Sequence, residues 1–362
     1  MYNSSNKFIV GELKMNSINQ KFKSVDHIFR GTYYDIGMGI GSTFQKWIVP
    51  SVKETILNPP PISSEDCKSK LSIGMELTKN ILPNIWEELR GMASGAGVPI
   101  SDLFLSLYED LWDSEDFETG CTDIAATGIA TKNGRLIMGH NNDVSKNCPP
   151  PIIYRIEAEN SSHATAISLG GFGISVGFNS EGVVLMGNQL SALDGKAGIP
   201  RVILVRAALT ASTLEEAADI LLHPMRATSY NNVLGDKNGR LISFEGSGKK
   251  FRAITPSTEG VFAHTNHYIH PEMKDVDGKC EMHSTKLRLE RSEFLMKNFS
   301  QKHSIESMKK VLCDHVGHPV SVCRHEDDSF TIFSVICEPE DKILWFCNKS
   351  PCEGEFLPYD YK

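Results

Sequence analysis

The sequence predicts an α+β fold in which sheets pack together and helices lie outside them. In the first third of the chain, apolar residues recur at steps of three and four, as on a helix with one buried face. From residue 120 onward, short β-compatible runs alternate with turn signals, and two pairs of helices interrupt them. A chain of 362 residues that is 40% hydrophobic can bury a sizeable core, and it shows no repeat or linker. We therefore expect one domain spanning residues 1–362.

Three helical regions are predicted before residue 120. The first covers residues 34–57 and should kink or end near Pro50. The second carries an apolar stripe over residues 71–92 and should stop where three glycines follow within residues 91–97. The third covers residues 101–111, with Ser101 and Asp102 as its cap.

The remainder predicts mainly strands, and Lys132-Asn133-Gly134-Arg135 is a hairpin turn signal. We predict strands or hairpin-like segments at residues 124–131, 136–138, 152–156, 164–169, 174–178, 183–186, 231–244, 251–264, 331–337 and 343–347. Helices are predicted at residues 200–211, 214–222, 284–296 and 304–312.

Charge and cysteine usage narrow the class of partner. The net charge of −8 argues against nucleic acid or an anionic membrane as the main partner, which favours a small molecule. Nine cysteines without a repeated spacing fit neither a disulfide framework nor a zinc ribbon, so we expect a reducing compartment. Residues 1–14 lack the pattern of a secretory signal, and no apolar run approaches the roughly 18 residues of a membrane span. We expect a cytoplasmic protein.

The sharpest candidate for chemistry is Gly120-Cys121-Thr122, at the change from helical to strand pattern. A thiol that directly follows a glycine can attack the preceding carbonyl, because glycine adds no side chain and tolerates strained backbone. Hydrolysis after this N-to-S acyl shift would leave Cys121 with a thiol and an α-amine on one residue. By itself, a glycine-cysteine pair also fits a small buried thiol at the start of a strand.

Further motifs follow in a fixed order along the chain. They are Gly139-His140-Asn141-Asn142-Asp143, Thr265-Asn266-His267 and Cys323-Arg324-His325. With Gly120-Cys121-Thr122, they make the chain resemble the isopenicillin N acyltransferase-like (acyl-CoA:6-aminopenicillanic acid acyltransferase) family of self-processing cysteine amidohydrolases. The resemblance runs roughly from Gly31 to Cys347 and implies a four-layer αββα sandwich of the N-terminal-nucleophile hydrolase type.

The resemblance also implies catalytic roles. Cys121 matches the nucleophile, and Asp143 matches a carboxylate that organises it. Asn266 matches a position beside the nucleophile, where a side-chain amide N–H could stabilise an oxyanion. Arg324 matches an arginine that pairs with a carboxylate, plausibly Asp143, or that meets a substrate carboxylate.

Two further residues are possible supports. Thr122 would assist the acyl shift by a hydrogen bond, and Asn188 ends a family segment that begins at Gly177. The three residues matched above also have ordinary structural interpretations. Asp143 could be a hairpin carboxylate, Asn266 a turn asparagine and Arg324 a surface arginine.

The implied enzyme cleaves itself between Gly120 and Cys121, giving an α subunit of residues 1–120 and a β subunit of residues 121–362. Cys121 would then form a thioester from a small amide or acyl thioester and pass the acyl group to water or an amine. No cofactor is expected, and acyl-CoA would be a substrate. The alternative is an unprocessed, non-catalytic relative that binds a ligand.

Two histidine-containing groups are candidate metal ligands. His264, His267 and His270 leave a strand, from which they cannot easily converge. The other group straddles a predicted helix end and a strand, and comprises Cys313, His315, His318, Cys323 and His325. Because the cysteine mechanism needs no metal, we expect none. Gly37-x-Gly39-x-Gly41 lacks the spacing of a dinucleotide loop, so it predicts helix packing or a bend in a helix.

Overall fold

A computed structural model describes residues 22–108, 111, 120–278 and 283–361. Residues 1–14, where a secretory signal was sought, lie outside this range. The helices are α1 (Tyr33–Thr43), α2 (Gln45–Leu57), α3 (Ser64–Ile81), α4 (Pro83–Ala96), α5 (Ile100–Ser106), α6 (Arg201–Ala208), α7 (Leu214–Leu221), α8 (His283–Asn298) and α9 (Ile305–Leu312). None of the described helices is both long and apolar enough to cross a membrane.

Fourteen strands are present among the described residues. They are β1 (His27–Gly31), β2 (Gly120–Ala126), β3 (Ile137–Val144), β4 (Pro151–Ala158), β5 (Ala164–Leu169), β6 (Ile174–Asn179), β7 (Val184–Asn188), β8 (Asn231–Gly235), β9 (Leu241–Gly246), β10 (Phe251–Ile254), β11 (Val261–His264), β12 (Phe330–Glu338), β13 (Ile343–Cys347) and β14 (Leu357–Asp360).

The strands form two sheets. The first has eight strands in the order β1-β4-β5-β6-β7-β8-β9-β10, and the second has six in the order β11-β2-β3-β12-β13-β14. All named pairings are antiparallel except β1 with β4.

Three apolar cores stack the elements into four layers. Residues of both sheets, including Met138 and Val176, share the central core. The eight-stranded sheet packs its other face on α1 to α7, and the six-stranded sheet packs its other face on α8 and α9. This arrangement confirms the expected αββα sandwich.

Two predicted helices are each divided in the structure. The break in the first lies at Phe44 and not at Pro50, because the Phe44 ring packs at centroid distances of 5.8 Å from Phe29 and 5.7 Å from Tyr154. The break in the second lies before Pro83, whose missing N–H suits the first position of α4.

Of the three glycines expected to stop the second helix, Gly91 and Gly95 lie inside α4, which ends only at Gly97 with φ of +70°. A Cβ on Gly91 would lie 2.1 Å from the Tyr34 oxygen, and one on Gly37 would lie 1.9 Å from the Glu88 oxygen. The two helices therefore touch backbone to backbone. This confirms helix packing as the role of the Gly37-x-Gly39-x-Gly41 pattern.

The strand predictions hold in type but differ in extent. The predicted strand 124–131 is β2 followed by a short 3-10 turn at Gly128–Ala130, and the strand at 136–138 continues as β3 through the whole Gly139 to Asp143 motif. The helix predicted at 101–111 is α5, which begins after Pro99; residues 109 and 110 lie outside the described range.

Candidate active site

The β2–β3 hairpin brings the two central motifs side by side. Gly134 at its turn has φ of +77°, a conformation that suits glycine. The register pairs Cys121 with Asn142 and Gly120 with Asp143. Because side chains alternate along a strand, Cys121 faces the central core and Asp143 faces the helical layer of α8 and α9.

On the central face, the thiol lies beside a buried ion pair. Asn142 Nδ2 lies 3.6 Å from Cys121 Sγ, and Asp123 Oδ1 lies 2.6 Å from His140 Nδ1. Burial alone would lower the pKa of His140, but Asp123, with Cys121 adding to it, outweighs burial and raises the pKa to about 10. A positively charged imidazole therefore sits next to the candidate nucleophile at neutral pH.

On the opposite face, Asp143 is fully buried. Its Oδ1 accepts a hydrogen bond of 2.7 Å from Thr331 Oγ1, and its Oδ2 accepts none from a described residue. Burial raises the pKa of Asp143 above its usual range, although the charge of Arg288 opposes the rise. Such a carboxyl group is suited to exchanging a proton.

Arg288 of α8 joins the two motifs. Its Nη1 donates to the main-chain oxygen of Cys121 at 2.7 Å and to Thr122 Oγ1 at 3.0 Å. Nη1 also lies 4.0 Å from Asp143 Oδ2. Arg288 thus occupies the place beside Asp143 that the sequence analysis assigned to Arg324.

Arg324 lies beside a carboxylate, but that carboxylate is Glu326 and not Asp143. Its guanidinium donates to Ser284 Oγ at 3.3 Å and lies 3.9 Å from Glu326. Arg324 has no ion pair with Asp143 within 4.0 Å, whereas Arg288 Nη1 lies 4.0 Å from Asp143 Oδ2. Its charge still lowers the pKa of Asp143, by less than Arg288 does.

Asn266 lies beside the nucleophile, as expected, and bonds to it through its amide oxygen. Oδ1 accepts from the Cys121 main-chain N–H at 2.8 Å and from Arg288 Nη2 at 2.8 Å, while Nδ2 donates to the Gln189 main-chain oxygen at 3.1 Å. Two donors face one side of the side chain, so that side must be its oxygen. Asn266 therefore positions the main-chain nitrogen of Cys121 through Oδ1, while its N–H group bonds to the main-chain oxygen of Gln189.

Of the two possible supports, both lie near the nucleophile. Thr122 is held by Arg288, and Asn188 ends β7, which packs on β2. Asn188 Oδ1 accepts from Asn231 Nδ2 at 2.9 Å, and its fully buried Nδ2 has no partner among the described residues. A buried, unpaired amide N–H is costly unless a ligand or reaction intermediate uses it.

Asp123, His140 and Arg288 were not among the predicted site residues. His140 stood inside a quoted motif, and Asp123 follows Cys121 at the two-residue step of one strand face. For Arg288 the signal was weaker: the buried positions of α8 are Thr285, Arg288, Ser292 and Met296, so a charged residue lies on a buried helical stripe. Such a residue needs a buried partner.

The two histidine-containing groups differ in whether their side chains converge on one point. His264 bonds through Nε2 to Glu245 at 2.9 Å, which leaves the group of His264, His267 and His270 without convergence on one point. In the second group, His315, Cys323 and His325 meet with Cys352 in a cluster described below.

Comparison with known proteins identifies the family to which the chain is similar. The family model described as acyl-coenzyme A:6-aminopenicillanic acid acyl-transferase matches residues 129–353, which include Asp143, Asn266 and Arg324 but begin after Cys121. The beta-alanyl-dopamine/carcinine hydrolase of Drosophila melanogaster is 26% identical over 223 residues, 53% of this chain and 55% of that protein. The chain thus spans about half the length of this curated relative.

Solved structures with related chains were also found. A mutant of conjugated bile acid hydrolase from Clostridium perfringens has a TM-score of 0.43 and 14% identity, covering 67% of this chain and 97% of that chain. Penicillin V acylase from Agrobacterium tumefaciens has a TM-score of 0.42 and 17% identity, covering 63% and 83%.

Proposed function

The chain belongs to the acyl-coenzyme A:6-aminopenicillanic acid acyl-transferase family, and from this premise we propose that it is a self-processing N-terminal-nucleophile amidohydrolase or acyltransferase. Its nucleophile is Cys121. The observation that carries the proposal is the convergence on Cys121 of Asn266 at its nitrogen and Arg288 at its oxygen, with Asn142 at its sulfur.

Self-processing begins with attack of Cys121 Sγ on the Gly120 carbonyl carbon. The thiol proton leaves, the C–N bond breaks, and the Cys121 nitrogen gains a proton to become an amine, giving a thioester. Water then hydrolyses the thioester, leaving a Gly120 carboxylate and a free thiol. Asp143 supports this step: it pairs with Gly120 in the sheet, its Oδ2 accepts no hydrogen bond from a described residue, and its raised pKa suits proton exchange.

The mature site would use the same groups on a substrate. Asn266 Oδ1 holds the new α-amine, and His140 places a positive charge beside the thiol of Cys121. The unpaired Nδ2 of Asn188 is our candidate donor to the tetrahedral oxyanion. The thioester is then resolved by water or by an amine.

The substrate class is a small-molecule amide or acyl thioester. The name of the Drosophila melanogaster relative makes carcinine and β-alanyl-dopamine the first amides to test. The working enzyme would be a heterodimer of residues 1–120 and 121–362. The eight described cysteines are free thiols, which supports a reducing compartment such as the cytoplasm.

A denaturing gel with mass spectrometry tests the proposal. Purified wild-type chain should give two bands, the larger beginning at Cys121, while Cys121→Ala should remain one chain. Cys148→Ala, which changes another free thiol, is the matched control and should process normally. A wild-type chain that stays full length after long incubation, yet binds one of the amides, would support the non-catalytic alternative.

The acyl-enzyme is tested separately on processed protein. Exposure to carcinine, β-alanyl-dopamine and a set of acyl thioesters should leave an acyl adduct on Cys121 for at least one compound. Adducts confined to other thiols would remove Cys121 from the mechanism.

A further inference from the structure

Four potential metal ligands converge outside the active site. His315 follows α9, Cys323 and His325 precede β12, and Cys352 lies between β13 and β14. One ligand atom from each lies within 4.8 Å of every other. Two loops, the α9–β12 connection and the β13–β14 connection, therefore present two thiols and two imidazoles to one point.

Four of the six distances between ligand atoms are close to those around a tetrahedral zinc ion. Cys323 Sγ and Cys352 Sγ are 3.7 Å apart, and His325 Nε2 lies 3.5 Å from Cys323 Sγ and 3.4 Å from Cys352 Sγ. His315 Nε2 and His325 Nε2 are 3.0 Å apart. Zinc with bonds of about 2.3 Å to sulfur and about 2.0–2.1 Å to nitrogen holds two sulfurs about 3.8 Å apart, sulfur and nitrogen about 3.5 Å apart, and two nitrogens about 3.3 Å apart.

We propose that His315, Cys323, His325 and Cys352 bind one Zn²⁺. The two thiols lose their protons to solvent, so two thiolates and two neutral imidazoles leave the site with no net charge. All four positions are taken by protein groups, as in structural zinc sites, so the ion organises the loops and does not activate water. His315 and Cys352 are exposed and Cys323 is buried, which gives the ion a route in from solvent.

The position of the zinc site, next to the residues that contact Asp143, gives the ion a role in positioning Asp143. This role rests on the proposed function. Arg324 stands between two of the ligands, and its main-chain N–H donates to Thr331 Oγ1 at 2.8 Å. The same hydroxyl donates to Asp143 Oδ1 at 2.7 Å. Ser350, two residues before Cys352, donates from Oγ to the main-chain oxygen of Thr331 at 2.9 Å. A zinc clamp would therefore hold Thr331 against Asp143.

Metal analysis of the full chain tests the site independently of processing. After purification with zinc and dialysis, wild type should retain about one zinc per chain, whereas Cys352→Ser and His315→Asn should lose most of it. Cys313→Ser changes a nearby half-buried thiol that is not a ligand and should retain zinc. The proposal is overturned if wild type holds no more zinc than Cys352→Ser.

Cobalt titration of wild type keeps the test valid if a variant fails to fold. Co²⁺ bound by two thiolates in a tetrahedral site should give thiolate charge-transfer bands and intense visible absorption, which added Zn²⁺ abolishes. A wild-type chain without these bands, or one isolated with a Cys323–Cys352 disulfide, would refute the site. Zinc binding by the Cys121→Ala chain would uphold it even if self-processing fails.

Discussion

Arg288 donates a hydrogen bond to the main-chain oxygen of Cys121 across 2.7 Å, although the two residues stand 167 positions apart in the sequence. Its other terminal nitrogen bonds to Asn266 Oδ1, which also accepts from the Cys121 nitrogen. One buried guanidinium therefore organises both main-chain ends of the candidate nucleophile.

Removing Arg288 should cost stability and self-processing together. Arg288→Ala leaves Asp143 and Asn266 Oδ1 without their buried cation, and the expected loss of unfolding free energy is about 3–5 kcal/mol. Arg288→Lys keeps the charge but lacks the planar fork, so it should fold better and process more slowly than wild type. Urea denaturation and a gel time course measure the two effects. The control is Arg291→Ala, which breaks a more exposed pair with Asp314 and should leave processing intact.

Gly120→Ala should slow self-cleavage. A Cβ at this position would lie 3.0 Å from Asp143 Oδ2 and 3.2 Å from Arg288 Nη2, so these side chains must shift at the scissile bond. The rate of appearance of the fragment that begins at Cys121 is the measurement. Gly195→Ala, where a Cβ meets no atom within 4 Å, should process at the wild-type rate. Equal rates for the two variants would contradict this account.

The His140–Asp123 pair should make stability depend on pH. The pKa of His140 rises on folding from 6.5 to about 10, so the stabilisation is complete below about pH 6.5 and is lost as pH rises toward 10. His140→Asn should flatten this decline, by an amount on the order of a few kcal/mol across the window. Urea denaturation at several pH values measures it. His163→Asn, a change at an exposed histidine, should keep the wild-type slope.

Asn188→Ala should lower the rate of acyl transfer by about 10²–10³-fold if Nδ2 binds the oxyanion. Steady-state kinetics on whichever amide proves to be a substrate measures this loss. Asn231→Ala is the control, because it disturbs the same buried hydrogen bond without removing the unpaired donor. Comparable losses of rate in both variants would assign Asn188 a structural role only.

Gly91→Ala should destabilise the helical layer. The added methyl group would lie 2.1 Å from the Tyr34 oxygen, so α1 and α4 must separate, and the expected loss is about 1–3 kcal/mol or more. Thermal unfolding measures the loss. Gly39→Ala offers a milder comparison, since its Cβ would meet the Phe29 ring at 2.9 Å and not backbone. A larger loss for Gly39→Ala would argue against direct backbone contact between the helices.

Local patterns were sufficient to predict most element types and the candidate nucleophile. The two-residue alternation and the turn at Gly134 predicted the β2–β3 hairpin, and this hairpin alone sets Cys121 opposite Asn142. The extent of the elements was less predictable. Phe44 separates α1 from α2, and its ring packs on Tyr154, which is distant in the sequence. Gly91 lies inside α4, where α1 packs directly against its backbone. Neither partner can be read from the neighbouring sequence.

The sequence by itself determined the types of most elements, through the periods of its apolar residues, and the order of the motifs that carry Cys121, Asp143 and Asn266. Only the tertiary structure decided which cation meets Asp143, which way Asn266 faces, and that Cys352 joins His315, Cys323 and His325. The physical reason is that a strand or helix period fixes the face on which a side chain lies, whereas its partner depends on how sheets, helices and loops from distant parts of the chain pack together.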